Sequence, residues 1–189
     1  IRLDISGTTF SVVSKRGRYG IRTRLIGRHN VYNILAAFAA AVAEDIDLQA
    51  ILKGIAGLEC IPGRLERVEG RQPFSIFIDF AHTQDALENV LKTIRQTSSS
   101  KILLLFGCGG DRDKTKRPAM GKTAGRLADF SIVTSDNPRS EDPQTIIDQI
   151  TSGFEKNNYR VIVNRKEAIH KALSTARAGD IVLIAGKGH

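Results

Sequence analysis

Short apolar runs alternate with longer amphipathic segments over most of the chain from about residue 65 onward. Each run is five or six residues long and ends in a loop rich in polar residues or glycine. Runs of this kind, bounded by turn residues, are typical of strands buried in a parallel sheet. The sequence therefore predicts five strands, at Ser75–Asp79, Ile102–Phe106, Phe130–Thr134, Tyr159–Val163 and Asp180–Ala185.

Helix signals lie between these runs. Thr83 is a suitable N-cap, and Pro118 and Pro143 mark two further helix starts, because proline is favoured in the first turn. A last helix carries Ile169 and Ala172 on its apolar face. Strands that alternate with helices predict an α/β, Rossmann-like fold, in which a mostly parallel sheet has helices on both faces.

Residues 1–26 follow a different pattern, in which apolar and polar positions alternate between turn signals at Ser6-Gly7 and Lys15-Arg16-Gly17. This pattern predicts two or three short antiparallel strands. Two helices follow, one from about Val31 to Ala43 and one that Asp47 opens and that ends near Ile55. Residues 59–64 contain Pro62-Gly63, break the pattern and indicate a linker.

Cysteine content and hydropathy narrow the class of protein. The two cysteines, Cys60 and Cys108, are far apart and form no CxxC pair, so a disulfide scaffold or a zinc site is not expected. This usage favours a reduced, cytoplasmic protein. No apolar run reaches the roughly 20 residues that a membrane span needs, and no signal peptide is recognisable.

Positive charge is concentrated at the start of the chain. The net charge is +8, and residues 1–28 carry +6 of it. A basic patch of this kind can bind nucleic acid. The chain has no Trp and 11 other aromatic residues, which leaves few side chains for base stacking. We therefore favour a solvated hairpin, or a face that docks on another domain, as the explanation of this charge.

Two strand-end loops carry the most promising chemistry, because ligands of parallel sheets bind beyond the carboxyl ends of the strands. Gly107-Cys-Gly-Gly-Asp-Arg-Asp-Lys114 combines three glycines, which permit a backbone that residues with a Cβ resist, with charges suited to an anionic ligand. Asp136-Asn-Pro-Arg139 offers a rigid turn and a guanidinium that can bind a carboxylate through two hydrogen bonds. A solvated turn and an Asx turn are the structural alternatives.

Two phosphate-binding motifs are only partly present. Gly107-x-Gly109-x-x-Arg112 resembles a dinucleotide fingerprint, but the third glycine is replaced by arginine. Gly121-Lys122-Thr123 resembles the end of a Walker A loop, yet its first glycine would fall at Lys116, so we expect a helix interior there.

Four further residues could bind a ligand or have a purely structural role. Asp79 and His82 place an acid and an imidazole just beyond a strand. Asn30, with its neighbours His29 and Asn33, could bind a ligand or cap the following helix. Arg64 follows Pro62-Gly63 and could be an ordinary linker arginine.

Taken together, six stretches resemble the Mur ligases, ATP-dependent enzymes that add amino acids to the peptidoglycan precursor. Within that family they are most similar to the members that add 2,6-diaminopimelate as the third residue. The stretches occur in the family's order, at Gly27–Asn33, Pro62–Glu66, Asp79–Leu87, Phe106–Lys114, Asp136–Arg139 and Ala185–His189.

The resemblance implies a division of the chain and a chemistry. Residues 1–61 would be the end of the central ATPase domain, with short antiparallel strands and two helices, and residues 62–189 the C-terminal Rossmann-like domain. The family's Walker A loop, carbamylated lysine and UDP-binding domain would lie before Ile1, so the chain is expected to be part of a longer protein. The family uses ATP and Mg²⁺ to phosphorylate the D-glutamate carboxylate of a UDP-linked dipeptide, and the amine of the incoming amino acid attacks the acyl phosphate.

The resemblance also assigns residues. Those expected near ATP are Asn30, Arg64, Asp79 and His82. Those expected to bind or frame diaminopimelate are Arg112, Asp136, Asn137, Pro138, Arg139 and Gly186. No catalytic residue and no metal ligand is assigned within this chain. The partners implied are the UDP-muramoyl dipeptide, diaminopimelate and the remaining domains of the same protein, without nucleic acid or membrane.

Three departures from the family pattern concern the same loops. Phe80 stands where the family usually has Tyr, and Gln84 where it usually has Pro. A glutamate expected immediately after His189, which would meet the far ammonium of the substrate, lies beyond the chain. The amino-acid pocket is therefore expected to be incomplete.

Other functions remain open from the sequence. A lysine-adding ligase or another member of the superfamily is the first alternative, although Arg139 would be unpaired beside lysine, which lacks the second carboxylate. A nicotinamide-binding oxidoreductase domain is disfavoured by Arg112. A nucleic-acid-binding module would need the basic N-terminal charge to be exposed in the whole protein.

Overall fold

A computed structural model describes residues 1–14 and 17–186 of the chain. They form two compact units, one of Ile1–Ile61 with Thr93–Ser99, the other of Pro62–Lys92 and the residues from Ser100 onward. The predicted turn at Lys15-Arg16 and the Lys187-Gly-His189 end of the last motif lie outside the described residues.

The first unit contains a three-stranded antiparallel sheet and two helices. Its strands are β1 (Arg2–Asp4), β2 (Gly7–Ser14) and β3 (Gly17–Thr23), in that order across the sheet, as the alternating pattern predicts. The helices are α1 (Arg28–Ala43) and α2 (Leu48–Gly57). Apolar residues of β2, β3 and both helices form one core, with Phe10, Ile21, Val31, Ile34, Phe38 and Ile51 buried in it.

The beginnings of these two helices differ from each other. Asp47 caps α2 as predicted, because its side chain accepts a hydrogen bond from the Ala50 amide at 3.0 Å. Helix α1 begins three residues earlier than predicted, after Gly27, and no side chain caps it. The interpretation of Asn30 as a cap is therefore wrong.

The second unit has the predicted α/β fold, built around a six-stranded sheet. Its strands are β4 (Glu66–Arg67), β5 (Ser75–Asp79), β6 (Ile102–Phe106), β7 (Phe130–Val133), β8 (Tyr159–Val161) and β9 (Ile181–Ala185). The order is β4-β5-β9-β6-β7-β8, and every pairing is parallel except that of β4 with β5. The mostly parallel sheet and its five predicted strands are confirmed, although β8 ends two residues before Val163.

Four helices follow strands of this sheet along the chain: α3 (Gln84–Thr97), α4 (Lys116–Leu127), α5 (Pro143–Thr151) and α6 (Arg165–Thr175). The end of α3, from Thr93, belongs to the first unit. Thr83 caps α3, accepting a hydrogen bond from the Ala86 amide at 3.3 Å, and Pro143 is the first residue of α5. Gly121-Lys122-Thr123 lies inside α4, as predicted.

Both faces of the sheet are covered. Ile76, Leu103, Ile132 and Val182 form one core with Ala168 and Ala172 of α6. The alternate residues Phe77, Leu104 and Leu183, which face the other way, are also buried. Burial on both faces explains why these strands are continuous apolar runs rather than alternating ones.

Candidate functional site

Four loops meet at the carboxyl edge of the six-stranded sheet, following β5, β9, β6 and β7. Asp79, the last residue of β5, pairs with Ala185, the last residue of β9. Phe106 and Val133, which end β6 and β7, are also in register. The Gly186 amide then donates to the Asp79 carbonyl at 3.0 Å. The strand register thus brings residues that are far apart in sequence to one edge.

The loop after β6, residues 107–114 (the glycine loop), is joined directly to residues 136–142 after β7 (the DNPR loop). The Gly110 amide donates to the Asn137 carbonyl at 2.9 Å. In the opposite direction, the Arg139 guanidinium donates to the Gly110 carbonyl at 2.7 Å. The two loops predicted to share a ligand are therefore in contact.

Close approach, rather than unusual backbone conformation, explains the three glycines of the glycine loop. None of them has a positive φ, contrary to the conformational reason that the sequence suggested. A Cβ atom at Gly107 would collide with the Thr134 carbonyl, and one at Gly110 with the Pro138 carbonyl. At Gly109 it would come within 2.9 Å of the Arg139 guanidinium.

A buried charge pair lies under both loops. Arg117, in the first turn of α4, has a side chain that is 0% exposed and donates two hydrogen bonds to Glu141, at 2.8 and 2.9 Å. Hydrogen bonds from Arg117 and from the Asp111 amide hold the pKa of Glu141 down to about 2. Glu141 is therefore ionised at neutral pH.

The predicted amino-acid ligands lie on the open side of these loops. Arg112, Asn137 and Arg139 are exposed, and Asp136 and Gly186 are half-buried. Gly186 has a φ of 90°, and a Cβ atom there would approach the Gly107 carbonyl at 3.6 Å. The fold thus brings the predicted residues to one edge of the sheet, where the exposed guanidinium groups of Arg112 and Arg139 are suited to an anionic ligand.

Arg165, at the start of α6, adds a third cation to this edge. Its guanidinium donates to the Ala185 carbonyl at 3.1 Å, immediately before Gly186. Burial lowers the pKa of Arg165, and the negative charge of Asp136 partly offsets that effect. Arg165 therefore connects the end of β9 electrostatically with the first residue of the DNPR loop.

A second group of side chains surrounds Phe80, just beyond β5. The Arg64 guanidinium lies 5.6 Å from the centre of the Phe80 ring, and the His82 ring lies 4.5 Å from it. Arg64 and His82 are both exposed. Lys116, in the first turn of α4, donates to the His82 carbonyl at 2.8 Å and ties this loop to the helix. We call the side chains of Arg64, Phe80 and His82 the Arg64–Phe80–His82 cluster.

Asp79 and Asn30 are engaged within the protein. Both carboxylate oxygens of Asp79 accept backbone amides, from Leu65 and from Ala81, each at 2.8 Å. Asp79 thereby fixes the chain around Arg64. In the first unit, the buried amide of Asn30 donates to the Ile26 carbonyl at 2.9 Å.

Sequence reasoning missed Arg117, Glu141 and Arg165. A charged residue just before Pro118 looked like part of a solvated loop, and Glu141 lay outside the four-residue motif.

Cys108, inside the glycine loop, is buried, and this burial raises the pKa of its thiol to about 11. A thiol of this kind is a packing residue rather than a nucleophile.

Residues 1–14 and 17–186 contain no group of three or more His, Cys, Asp or Glu side chains arranged to hold a metal ion. None of the helices formed by these residues combines the length and apolar character required to cross a bilayer.

Comparison with known proteins gives a consistent result. Residues 63–188 match the family model described as "Mur ligase, glutamate ligase domain", and residues 1–41 match "Mur ligase middle domain". The chain is 49% identical over 189 residues to the UDP-N-acetylmuramoyl-L-alanyl-D-glutamate–2,6-diaminopimelate ligase of Bacillus cereus. That alignment covers 100% of this chain and 38% of the relative, so the chain spans about two fifths of its length.

Solved structures agree. A structure of a UDP-N-acetylmuramoyl-L-alanyl-D-glutamate–2,6-diaminopimelate ligase is 42% identical, with a TM-score of 0.72, over 100% of this chain and 39% of that one. A folylpolyglutamate synthase of Mycobacterium tuberculosis has a TM-score of 0.78 at 23% identity, covering 99% of this chain and 44% of the other, and supports the fold alone. The matches favour the ligase hypothesis over an oxidoreductase or a nucleic-acid-binding module.

Proposed function

Because this chain belongs to the Mur ligase family, we propose that it is part of an ATP-dependent ligase that adds meso-2,6-diaminopimelate to UDP-N-acetylmuramoyl-L-alanyl-D-glutamate. The observation that carries the proposal is the direct joining of the glycine loop to the DNPR loop, which gathers Arg112, Asn137 and Arg139 at one edge. The printed name of the 49% identical relative agrees with this substrate pair.

Arg139 is the residue that we propose selects diaminopimelate. Its guanidinium is anchored on one side by the Gly110 carbonyl, which leaves its other N–H groups available for the carboxylate at the far end of the substrate. Lysine has no carboxylate there and would leave this cation unpaired. We assign Arg112, Asn137 and Gly186 to the same pocket, with Asp136 and Pro138 shaping the loop.

The work of these residues in amide formation is positioning. The incoming amine must meet an activated carboxyl carbon, and holding two reactants in place removes much of the entropic barrier. A pocket fixed by backbone hydrogen bonds to Gly110 and Asn137 suits that task, because its donors need not reorganise during the reaction.

The Arg64–Phe80–His82 cluster has the chemistry to hold ATP. An aromatic ring offers a surface for the base, and two exposed basic side chains beside it suit phosphate. ATP supplies the phosphoryl group that activates the D-glutamate carboxylate. We propose that Asp79 acts by fixing the backbone around Arg64, and that Asn30 acts from the first unit. We assign the expected Mg²⁺ to none of the described side chains.

We further propose that residues 1–61 belong to the central domain of the ligase and residues 62–189 to its C-terminal domain. The other proposed partners are the remaining domains of the same protein and the two small-molecule substrates. The cytoplasm, where ATP is available, is the proposed compartment.

Phosphate release by the complete ligase tests the proposal. The assay contains ATP, Mg²⁺ and the UDP-muramoyl dipeptide, with diaminopimelate or lysine added separately. We expect turnover with diaminopimelate and none with lysine. Turnover with lysine alone would keep the family and overturn the role given to Arg139, whereas no turnover with either would contradict the proposed function.

A further inference from the structure

Arg117 occupies a position that folding stability alone does not explain. Its side chain is 0% exposed and, besides Glu141, it donates to the Gln149 side chain at 2.7 Å and the Gly109 carbonyl at 3.3 Å. Its Nε has no hydrogen-bond partner among the described residues. A buried ion pair is often no more stabilising than apolar residues of the same size, because desolvation offsets the attraction.

Geometry offers a better explanation, since Arg117 and Glu141 contact both loops. Arg117 reaches the glycine loop through Gly109 and the DNPR loop through Glu141. The Glu141 carboxylate also accepts a hydrogen bond from the Asp111 amide of the glycine loop, at 2.7 Å. Asp111 in turn accepts the Ser140 hydroxyl at 2.7 Å and the Ser140 amide at 3.2 Å. Each loop therefore contributes a carboxylate that holds the backbone of the other.

The two loops also contain unfavourable backbone conformations that these bonds must hold. Asp111 has a φ of 52° and Arg139 a φ of 51°. This left-handed region is sterically disfavoured for residues other than glycine, more strongly for Arg than for Asp. One such residue lies in each loop, and each makes a hydrogen bond to the opposite loop.

We propose that Arg117 and Glu141 are positioning residues of the amino-acid pocket, which hold the glycine and DNPR loops in the single register that presents Arg139 and Asn137 to the incoming amino acid. This inference rests on the proposed function. Arg117 and Glu141 touch no substrate themselves in this scheme. They act through Arg139, whose own anchor, the Gly110 carbonyl, lies in the loop that Arg117 and Glu141 fix.

Steady-state kinetics of the complete ligase test the proposal with two variants. Glu141→Gln keeps the shape of the side chain and removes its charge, and the double variant Arg117→Met/Glu141→Leu replaces the ion pair with apolar residues. We expect each to raise KM for diaminopimelate roughly 10- to 100-fold, the scale of a small misplacement of a binding group. We expect KM for ATP to be unchanged. The double variant separates stability from positioning, because it should retain the melting temperature and still bind diaminopimelate weakly.

Lys122→Met is the matched control, because Lys122 lies on the same helix and pairs with Glu155 at 2.8 Å on the exposed surface. It should change neither KM. Combining Glu141→Gln with Arg139→Ala should cost less than the sum of the two single losses, since both changes act on the Arg139 guanidinium. Variants that melt earlier but keep the wild-type KM for diaminopimelate would reduce the pair to a structural role, as would additive losses. A wild-type enzyme inactive with every amino acid overturns the proposed function and this inference together.

Discussion

The joined glycine and DNPR loops and the Arg64–Phe80–His82 cluster lie at the same edge of one sheet, yet they hold their cationic side chains differently. Arg139 is fixed by a 2.7 Å hydrogen bond, and the loop that carries it by a buried ion pair. Arg64 is exposed and meets only the face of an aromatic ring at 5.6 Å among the contacts described for it. The Arg139 guanidinium is therefore preorganised, whereas the Arg64 side chain has fewer contacts and can change its conformation more easily.

The largest effect on activity should follow from removing the preorganised guanidinium of Arg139. Arg139→Ala in the complete ligase should lower kcat/KM for diaminopimelate by a factor equivalent to about 2–5 kcal/mol, provided that the bound substrate buries the ion pair with this exposed guanidinium. Arg160→Ala, an exposed arginine of β8, is the control and should have no effect. An unchanged specificity constant for Arg139→Ala would show that the DNPR loop does not select the substrate.

A substitution at Gly110 should disrupt the contact between the glycine loop and the DNPR loop. Because a Cβ there would collide with the Pro138 carbonyl, Gly110→Ala should destabilise the protein by about 1–3 kcal/mol, as overpacking does. Calorimetric unfolding of the complete ligase measures the change. Gly54→Ala is the control of opposite sign, since Gly54 lies inside α2 with open space around it and should stabilise by up to about 1 kcal/mol. Equal behaviour of the two variants would contradict the close approach of the loops.

The charge of Glu141 should also appear as a pH dependence of stability. Its pKa is about 2 in the folded protein against an ordinary 4.5, so the ionised form stabilises the fold. This contribution is complete above pH 4.5 and is lost as the pH falls towards 2.

The stability difference between wild type and Glu141→Gln should therefore shrink over this acid range, as urea unfolding at each pH would measure. Glu155→Gln removes an exposed partner of Lys122 and should show a weaker trend. A difference that is constant with pH would mean that Glu141 does not bind Arg117 as described.

The smallest effect on activity is expected from a substitution in the Arg64–Phe80–His82 cluster. Arg64→Ala should raise KM for ATP by the equivalent of about 0.2–1 kcal/mol, the value of an exposed charge pair such as one with phosphate, and leave KM for diaminopimelate unchanged. Arg67→Ala is the control, because this nearby arginine is also exposed and lies 3.8 Å from Glu69. A larger loss for Arg64→Ala than for Arg139→Ala would reverse the comparison between the two sites.

Local sequence patterns predicted the strands and helix caps well, because short-range interactions determine these features. The five apolar runs form strands, and Asp47 and Thr83 cap helices, because these depend on residues only a few positions apart. The start of α1 was missed because Gly27 precedes it without a side-chain cap.

The site was less predictable, because its supporting contacts join distant parts of the chain. Arg117 and Glu141 are 24 residues apart, and Asp79 holds the amide of Leu65 from 14 residues away. No local pattern encodes such a pair. The resemblance supplied the candidate ligands but not the residues beneath them, and the pocket roles of Arg112, Asn137, Arg139 and Gly186 stay predictions until the kinetic assays are made.

The position of β9 has a consequence for biosynthesis. This strand lies inside the sheet, between β5 and β6, although it follows every other described strand in sequence. During translation, the pair β4-β5 and the group β6-β7-β8 must wait for residues 181–185 to leave the ribosome before one continuous sheet can form. Until then two apolar strand edges stand unpaired, a state that invites aggregation. We therefore expect the nascent chain to be most prone to aggregation shortly before β9 emerges.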